Sequence, residues 1–426
     1  MRESGRVAAV VGVLIIVPLA AAGLHVGRGG SQADPDRTDR IAPQQCRRPY
    51  ASWSPWNTPL VRPSYDPRLD RKLVGLRDPL TSDPSQYTYP VYDVSAATPR
   101  RRVQVDGVYS NVHDGGRTIR LQHGGTFTLP LPTSAKPASG SDGQIVVVDP
   151  ESGDEWGAWR FDPSGDNVEA TNAYHYNTNW SGVPPRTAAG DPFGSRGAGV
   201  PYLAGLVRPC ELEGGAIRHA LAFAYPYPSP AHVYPATKSD GIGPRDALPE
   251  GTRLQLDPTL TRDDLRARGC DDACITIARA LQRYGMYVID NGGRPKVMME
   301  YEATANWDGL VTAGTVSPIP LADFRAVADT TPVVQALPST GERGRVVSVR
   351  YRVFDHGDAT RETISVVSGG RRVASLRRPY HVSLSRSPTA VRWQGLPTGA
   401  VARFCVRAWD PAGHASRSSC NTLRIR

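Results

Sequence analysis

Beyond its first 26 residues the chain has no second apolar run of membrane-spanning length, for which about 20 residues are needed. It also lacks a Gly-x-Ser-x-Gly elbow, a His-Glu-x-x-His pair, a phosphate-cradling glycine loop and any cysteine–histidine zinc spacing. Those absences argue against an esterase, a zinc peptidase, a nucleotide-dependent enzyme and a zinc ribbon. Lysine is missing from residue 331 onward, where 16 arginines face five acids. The net charge of +9 therefore belongs to the end of the chain, and the larger part before it is slightly acidic. Charge gives no case for a nucleic-acid partner.

The start reads as an export segment. Arg2 and Arg6 precede the apolar stretch 7–26, the order of charge then hydrophobicity that a leader requires. Ala20-Ala21-Ala22 offers a cleavage site. A signal peptide or a retained N-terminal membrane anchor is expected over 1–26, with the remainder extracellular or at the cell surface. Residues 27–48, rich in Gly, Asp, Arg and Gln, are expected to be a flexible spacer.

Six cysteines in an exported chain read as three disulfides. Cys405 and Cys420 close one small unit. Cys270 and Cys274 stand four apart at the start of an expected helix, which leaves Cys46 with Cys210 by elimination. Glycine (42) and proline (38) make up nearly a fifth of the 426 residues, against about 12% in average usage. Many turns between short strands follow from that.

Periodicity then supplies the elements. Residues 144–149 (QIVVVD) and 155–161 (EWGAWRF) read as strands. In 216–225 (AIRHALAFAY), Ile217, His219, Leu221, Phe223 and Tyr225 fall on one face and alanines on the other. Such a strand is interior, with something packed closely on its small face. One helix is expected over about 273–285, feeding a strand at 286–290, with 297–302 returning as its hairpin partner. The expected fold is mainly β: a sandwich or jelly-roll-like main domain with one helix over 49–330, and a second β-sandwich over 331–426. Trp53 and Trp56 begin the ordered part, as a lid packed on the core or as sugar-stacking rings.

The closing segment alternates Val347, Val349, Tyr351 and Val353 with Ser348, Arg350 and Arg352. It ends on Asp410-Pro411-Ala412-Gly413-His414-Ala415-Ser416 and a final strand. That ending resembles the last hairpin of fibronectin type III and related immunoglobulin-like modules of bacterial surface proteins, over about 95 residues. The resemblance implies a fold and a spacer or adhesion use, and no chemistry. Residues 194–225, 248–256 and 277–292 resemble a widespread group of secreted bacterial proteins, which implies extracellular location and a compact β domain, without an activity.

Candidate chemistry rests on carboxylates, histidines and aromatics. His219 beside Phe223 and Tyr225 has the mixture of rings and polar group that sugar grooves use, although a core histidine bonded to backbone fits the same pattern. Glu155, next to Trp156 and near Trp159, reads as a general acid beside an aromatic platform or as a structural acid. Glu211 and Glu213 with Arg208 read as a carboxylate pair with a substrate clamp or as a solvated loop. Asp290 ends a strand before Asn291-Gly292, and His175 lies in the aromatic-polar run 174–180. The catalytic candidates are therefore His219, Glu155, Glu211 and Asp290, with Trp156, Trp159, His175, Arg208 and Tyr225 as substrate contacts. Asp162, Asp166, Asn167 and Glu169 are oxygen donors without EF-hand spacing, so neither metal nor cofactor is expected. The function expected is binding or cleavage of extracellular polysaccharide by a hydrolase or lyase. The alternative is a noncatalytic surface protein that binds glycan or cell-wall polymer, with the arginines of the closing segment touching anionic polymer.

Overall fold

Asp271 opens the longest helix among the described residues, Asp272–Arg283, by accepting the Cys274 amide on its side chain, and Gly285 closes it at φ +74°. This computed structural model describes residues 46–73, 78–107, 110–114, 117–121, 125–164, 168–329, 331–342, 347–355, 359–382, 389–393 and 401–426. The expected leader and nearly all of the spacer lie outside the described residues. So do Asp166 and Asn167. Residues 45–426 form one compact unit.

The helix delivers the chain to Met286–Asn291, which runs parallel to Leu221–Tyr225 at the centre of a five-stranded sheet. Arg253–Leu256 and Phe324–Ala326 extend this sheet on one side and Lys296–Val297 on the other. The expected hairpin between 286–290 and 297–302 does not form. Lys296–Val297 pairs instead with Leu221–Tyr225, through Phe223 with Val297 and Ala224 with Lys296. The two edges of Met286–Asn291 are already taken by Leu221–Tyr225 and Arg253–Leu256.

The expected strand over 216–225 forms only as Leu221–Tyr225, but the division into bulky and small faces holds from Ile217 onward. Ile217, Leu221, Phe223 and Tyr225 pack toward the helix with Ile277, Ala278 and Leu281. Ala220, Ala222 and Ala224 face a second core rich in phenol rings, among them Tyr174, Tyr176, Tyr202 and Tyr287. Small side chains let backbone approach: the Ala222 amide donates to the Gly205 carbonyl at 2.8 Å. A Cβ on Gly205 would lie 2.4 Å from that amide nitrogen.

The phenol-rich core is shared with a six-stranded sheet ordered Val91–Asp93, Ile145–Val148, Asp154–Trp159, Asn172–Asn177, Asn111–Asp114, Arg117–Arg120. The far face of that sheet buries Ile145, Val147 and Trp156 against a three-stranded sheet of Arg100–Val105, Gly125–Pro130 and Val168–Ala170. The result is mainly β: the three-, six- and five-stranded sheets stack in that order, with the helix Asp272–Arg283 over the outer face of the five-stranded sheet. Four α-helices are present among the described residues, where one was expected. The others, Pro67–Leu73, Pro209–Glu213 and Arg262–Ala267, have seven residues or fewer, too short to carry a helical repeat in the sequence.

Beyond residue 331 two sheets face one another. Val333–Ala336, Val347–Phe354 and Thr389–Trp393 form one; Ser339–Gly341, Ser419–Ile425, Val401–Trp409, Ala359–Ser368 and Arg371–Val382 form the other. Val347, Val349, Tyr351 and Val353 meet Ile364, Val366, Phe404 and Val406 between them. Arg350, Arg352, Arg403 and Arg407 point outward and are exposed. Trp53 stacks on Tyr380 of this sandwich with ring centres 5.3 Å apart, and Trp56 is buried against Tyr287. Both tryptophans pack on other parts of the fold.

All six cysteines are paired as Cys46–Cys210, Cys270–Cys274 and Cys405–Cys420. Disulfides persist in oxidising compartments, which fits an extracellular protein. Among the described residues no helix is long and apolar enough to cross a membrane.

Candidate functional site

The parallel strands Leu221–Tyr225 and Met286–Asn291 end side by side, and Asp290 stands at that end. Its Oδ1 accepts the Gly197 amide at 3.0 Å. A Cβ on Gly197 would lie 2.3 Å from Asp240 Oδ1 and 2.6 Å from Glu250 Oε1, so three carboxyl groups crowd around a position that admits only glycine. Lys238 Nζ donates to the Gly197 carbonyl at 2.9 Å and to that of Arg196. Asp240 also accepts the Asn291 amide at 3.2 Å.

Crowding carboxyl groups away from water favours their neutral forms. Burial, then the facing Asp240 and the nearby Asp290, push Glu250 up to about 10. Burial and Asp240 push Asp290 up to about 8, against the pull of the Gly197 amide, Arg196 and Lys238. Burial lowers Lys238 in spite of its acidic neighbours. At neutral pH Glu250 and Asp290 therefore hold protons, and shifts of this kind beside a cavity mark functional-site candidates.

Two cavities share Asp290 as a wall. One of about 730 Å³ is lined by Tyr87, Tyr89, Asp142, Asn291 and Lys296 among others. The second, about 290 Å³, adds Trp159, Ser195, Arg196, Lys238 and Asp240. Tyr89, Asp142, Gln144, Asp290 and Asn291 line both. Arg196 is buried with φ +45°, a backbone state that costs a non-glycine residue about 1–3 kcal/mol. Its guanidinium lies over the Tyr89 ring at 4.6 Å and donates to the carbonyls of Ala204 and Tyr202. Those two bonds hold the backbone turn that carries the chain into Gly197, beside the carboxyl groups.

The four acid/base candidates do not meet in one cleft. Asp290 and Trp159 line the cavities just described. Glu155 is fully buried, where its carboxylate accepts from Tyr50 Oη at 2.8 Å, Tyr174 Oη at 2.6 Å and the Leu203 amide at 3.1 Å. Burial raises its pKa, opposed by those three donors. It knots the phenol-rich core together. Glu211 and His219 form a buried pair at 2.8 Å. Glu211 also accepts the Arg208 amide at 3.0 Å as the capping box of Pro209–Glu213, so this segment is a helical turn and not a solvated loop. The Arg208 guanidinium is committed to Glu300 at 2.9 Å, away from a substrate, and Tyr225 is buried in the helix-side core. Trp156 and His175 meet elsewhere, at a third cavity.

Sequence reading missed Lys238, Asp240 and Glu250. They come from the turn-rich stretch 226–251, where lysine and acids look like solvated polar residues. Only the fold around Gly197 gathers them. Asp329, Asp410 and His414 place three ligand-type atoms within 4.8 Å of one another, yet His414 Nδ1 already lies 2.9 Å from Asp410 and 3.3 Å from Asp329. Hydrogen bonding accounts for that group without an ion.

No family model and no curated protein matches the chain. Among solved structures, the chain is similar to a mutant SrpA adhesin from Streptococcus sanguinis, at 19% identity and TM-score 0.17, over 23% of this chain and 60% of that one. It is also similar to Drosophila N-cadherin EC1-3, at 8% identity and TM-score 0.16, over 80% of this chain and 99% of that one. For Drosophila N-cadherin EC1-4 the figures are 7%, 0.17, 79% and 74%. Similarities this slight carry no argument about activity.

Proposed function

We propose that this extracellular protein binds polysaccharide in the Asp290 cleft and cleaves it by acid/base chemistry. The observation that carries this reading is that Asp290 and Asp142 line one cleft, where burial and the facing Asp240 favour the protonated form of Asp290. Glycoside cleavage needs one carboxylic acid to protonate the leaving oxygen and a second carboxyl group to act as base or nucleophile. Tyr87 in the wall of the larger cavity and Trp159 in that of the smaller one supply rings for sugar stacking. Incubating the folded chain with a panel of wall and plant polysaccharides, and assaying reducing ends and unsaturated products, tests the reading. Asp290→Asn and Asp142→Asn should each abolish product. Turnover that survives in both variants would sink it.

A second reading is a noncatalytic surface protein that holds glycan or wall polymer, with the closing sandwich as a fibronectin type III-like module. It is supported by the outward arginines of that sandwich, which suit an anionic polymer. Glycan binding without any product would favour it.

A further inference from the structure

Antiparallel register builds a second polar groove in the six-stranded sheet. Asp154 and Trp156 alternate along one strand, opposite Asn177 and His175 on its neighbour. Because side chains alternate across a sheet, Glu155, Tyr174 and Tyr176 turn to the phenol-rich core while these four share the other face. Trp156 is almost fully buried, with the His175 ring stacked on it at 5.1 Å and 14° and Arg100 5.7 Å from its centre. The indole thus backs the imidazole, whose side chain keeps 19% of its exposure.

Asp154 fixes that imidazole. Its Oδ1 lies 3.0 Å from His175 Nε2 and accepts Asn177 Nδ2 at 3.1 Å, while Oδ2 accepts Ser152 Oγ at 2.8 Å. The serine is bound to the carboxylate and not to the imidazole, so the nucleophile–base contact of a serine hydrolase is absent. The cavity over these groups has about 490 Å³ and is also lined by Arg100, Phe127 and Asp149. That volume falls in the ~300–1,000 Å³ range of small-molecule sites.

We infer that this groove is a noncatalytic subsite for one sugar unit of a glycan, with His175 as its stacking platform and Asp154 and Arg100 as hydroxyl partners. A planar ring held from behind suits the apolar face of a pyranose. A guanidinium and a carboxylate at its rim suit adjacent hydroxyls, since charge-assisted hydrogen bonds are the stronger ones. Its residues are separate from those of the Asp290 cleft, so the inference stands whether or not that cleft cleaves anything.

The test is calorimetric titration of the full chain with a neutral β-1,4-glucan hexasaccharide and with an α-1,4-galacturonan hexasaccharide. His175→Ala should weaken binding of at least one by about tenfold, equivalent to about 1.4 kcal/mol, and His175→Phe should restore most of it. In the unmodified chain the same glycan should protect His175 from carbethoxylation, mapped by mass spectrometry, while labelling of His381 stays constant. This readout needs no variant to fold. If neither glycan binds, or if His175 labels equally fast at saturating glycan, the inference is overturned.

Discussion

His219 Nε2 lies 2.8 Å from Glu211 Oε1 while its Nδ1 lies 2.9 Å from the Ala220 carbonyl, so both ring nitrogens face acceptors. Only the doubly protonated imidazolium can donate to both. Burial alone would lower the pKa, but Glu211 and the carbonyl more than offset it and the net direction is up. Removing one partner of a buried ion pair costs about 3–5 kcal/mol, and apolar replacement of both costs far less. His219→Ala should therefore lower urea stability much more than the double change Glu211→Leu with His219→Leu. The stabilisation is fully present below the ordinary histidine value of ~6.5 and fades as pH rises through the elevated folded value.

The Asp290 cleft should show the opposite of ordinary acid lability. Asp290 and Glu250 have folded values raised to about 8 and about 10, far above the ~4 of free carboxyl groups. Their stabilising contribution is complete below pH ~4 and is lost as pH rises through those two values. Melting temperature should fall between neutral pH and pH 10, and Glu250→Gln should flatten the decline. For turnover, the loss of the Asp290 proton should give an alkaline limb centred near 8. A limb centred well away from that value would assign it to another group.

Cys46–Cys210 ties residues 164 apart in sequence. Chain entropy alone values so long a loop at about 5 kcal/mol, and the bridge adjoins the helical turn that places Glu211. Replacing Cys46 and Cys210 by alanine should lower stability by about 2–5 kcal/mol and speed cleavage by added protease in the segment before Trp53. Unchanged melting and proteolysis would show that the Tyr50 and Ala51 amide bonds to the Thr178 and Trp180 carbonyls hold the segment unaided.

Much of the fold was legible because its signals are local. The bulky and small faces of 216–225, the helix ending at Gly285 and the alternation in 347–353 each follow from a period of two or 3.6 residues. The course of 296–302 was not legible. Turn residues Asn291-Gly292-Gly293 fit a hairpin equally well, and only strand occupancy decides that Lys296–Val297 crosses to the other side. At the site, Asp290 was visible as a strand-end acid, but its raised pKa depends on Asp240 and Glu250, which reach it through the fold. Glu155 misled for a related reason. Its neighbour Trp156 turns to the opposite face of the sheet, and the partners that bury it are Tyr50, Tyr174 and Leu203.

The strand Leu221–Tyr225 divides two interiors with different optical signatures. On its alanine side lie Tyr50, Trp56, Tyr89, Tyr174, Tyr176, Tyr202 and Tyr287, whereas its other side is mostly aliphatic. Near-ultraviolet dichroism of the unfolding chain will follow mainly the alanine side, where packing against the six-stranded sheet is lost. Separation of the helix from the opposite side will register mainly in the far ultraviolet. A single five-residue strand thus makes the two events separable by wavelength, should they occur at different denaturant concentrations.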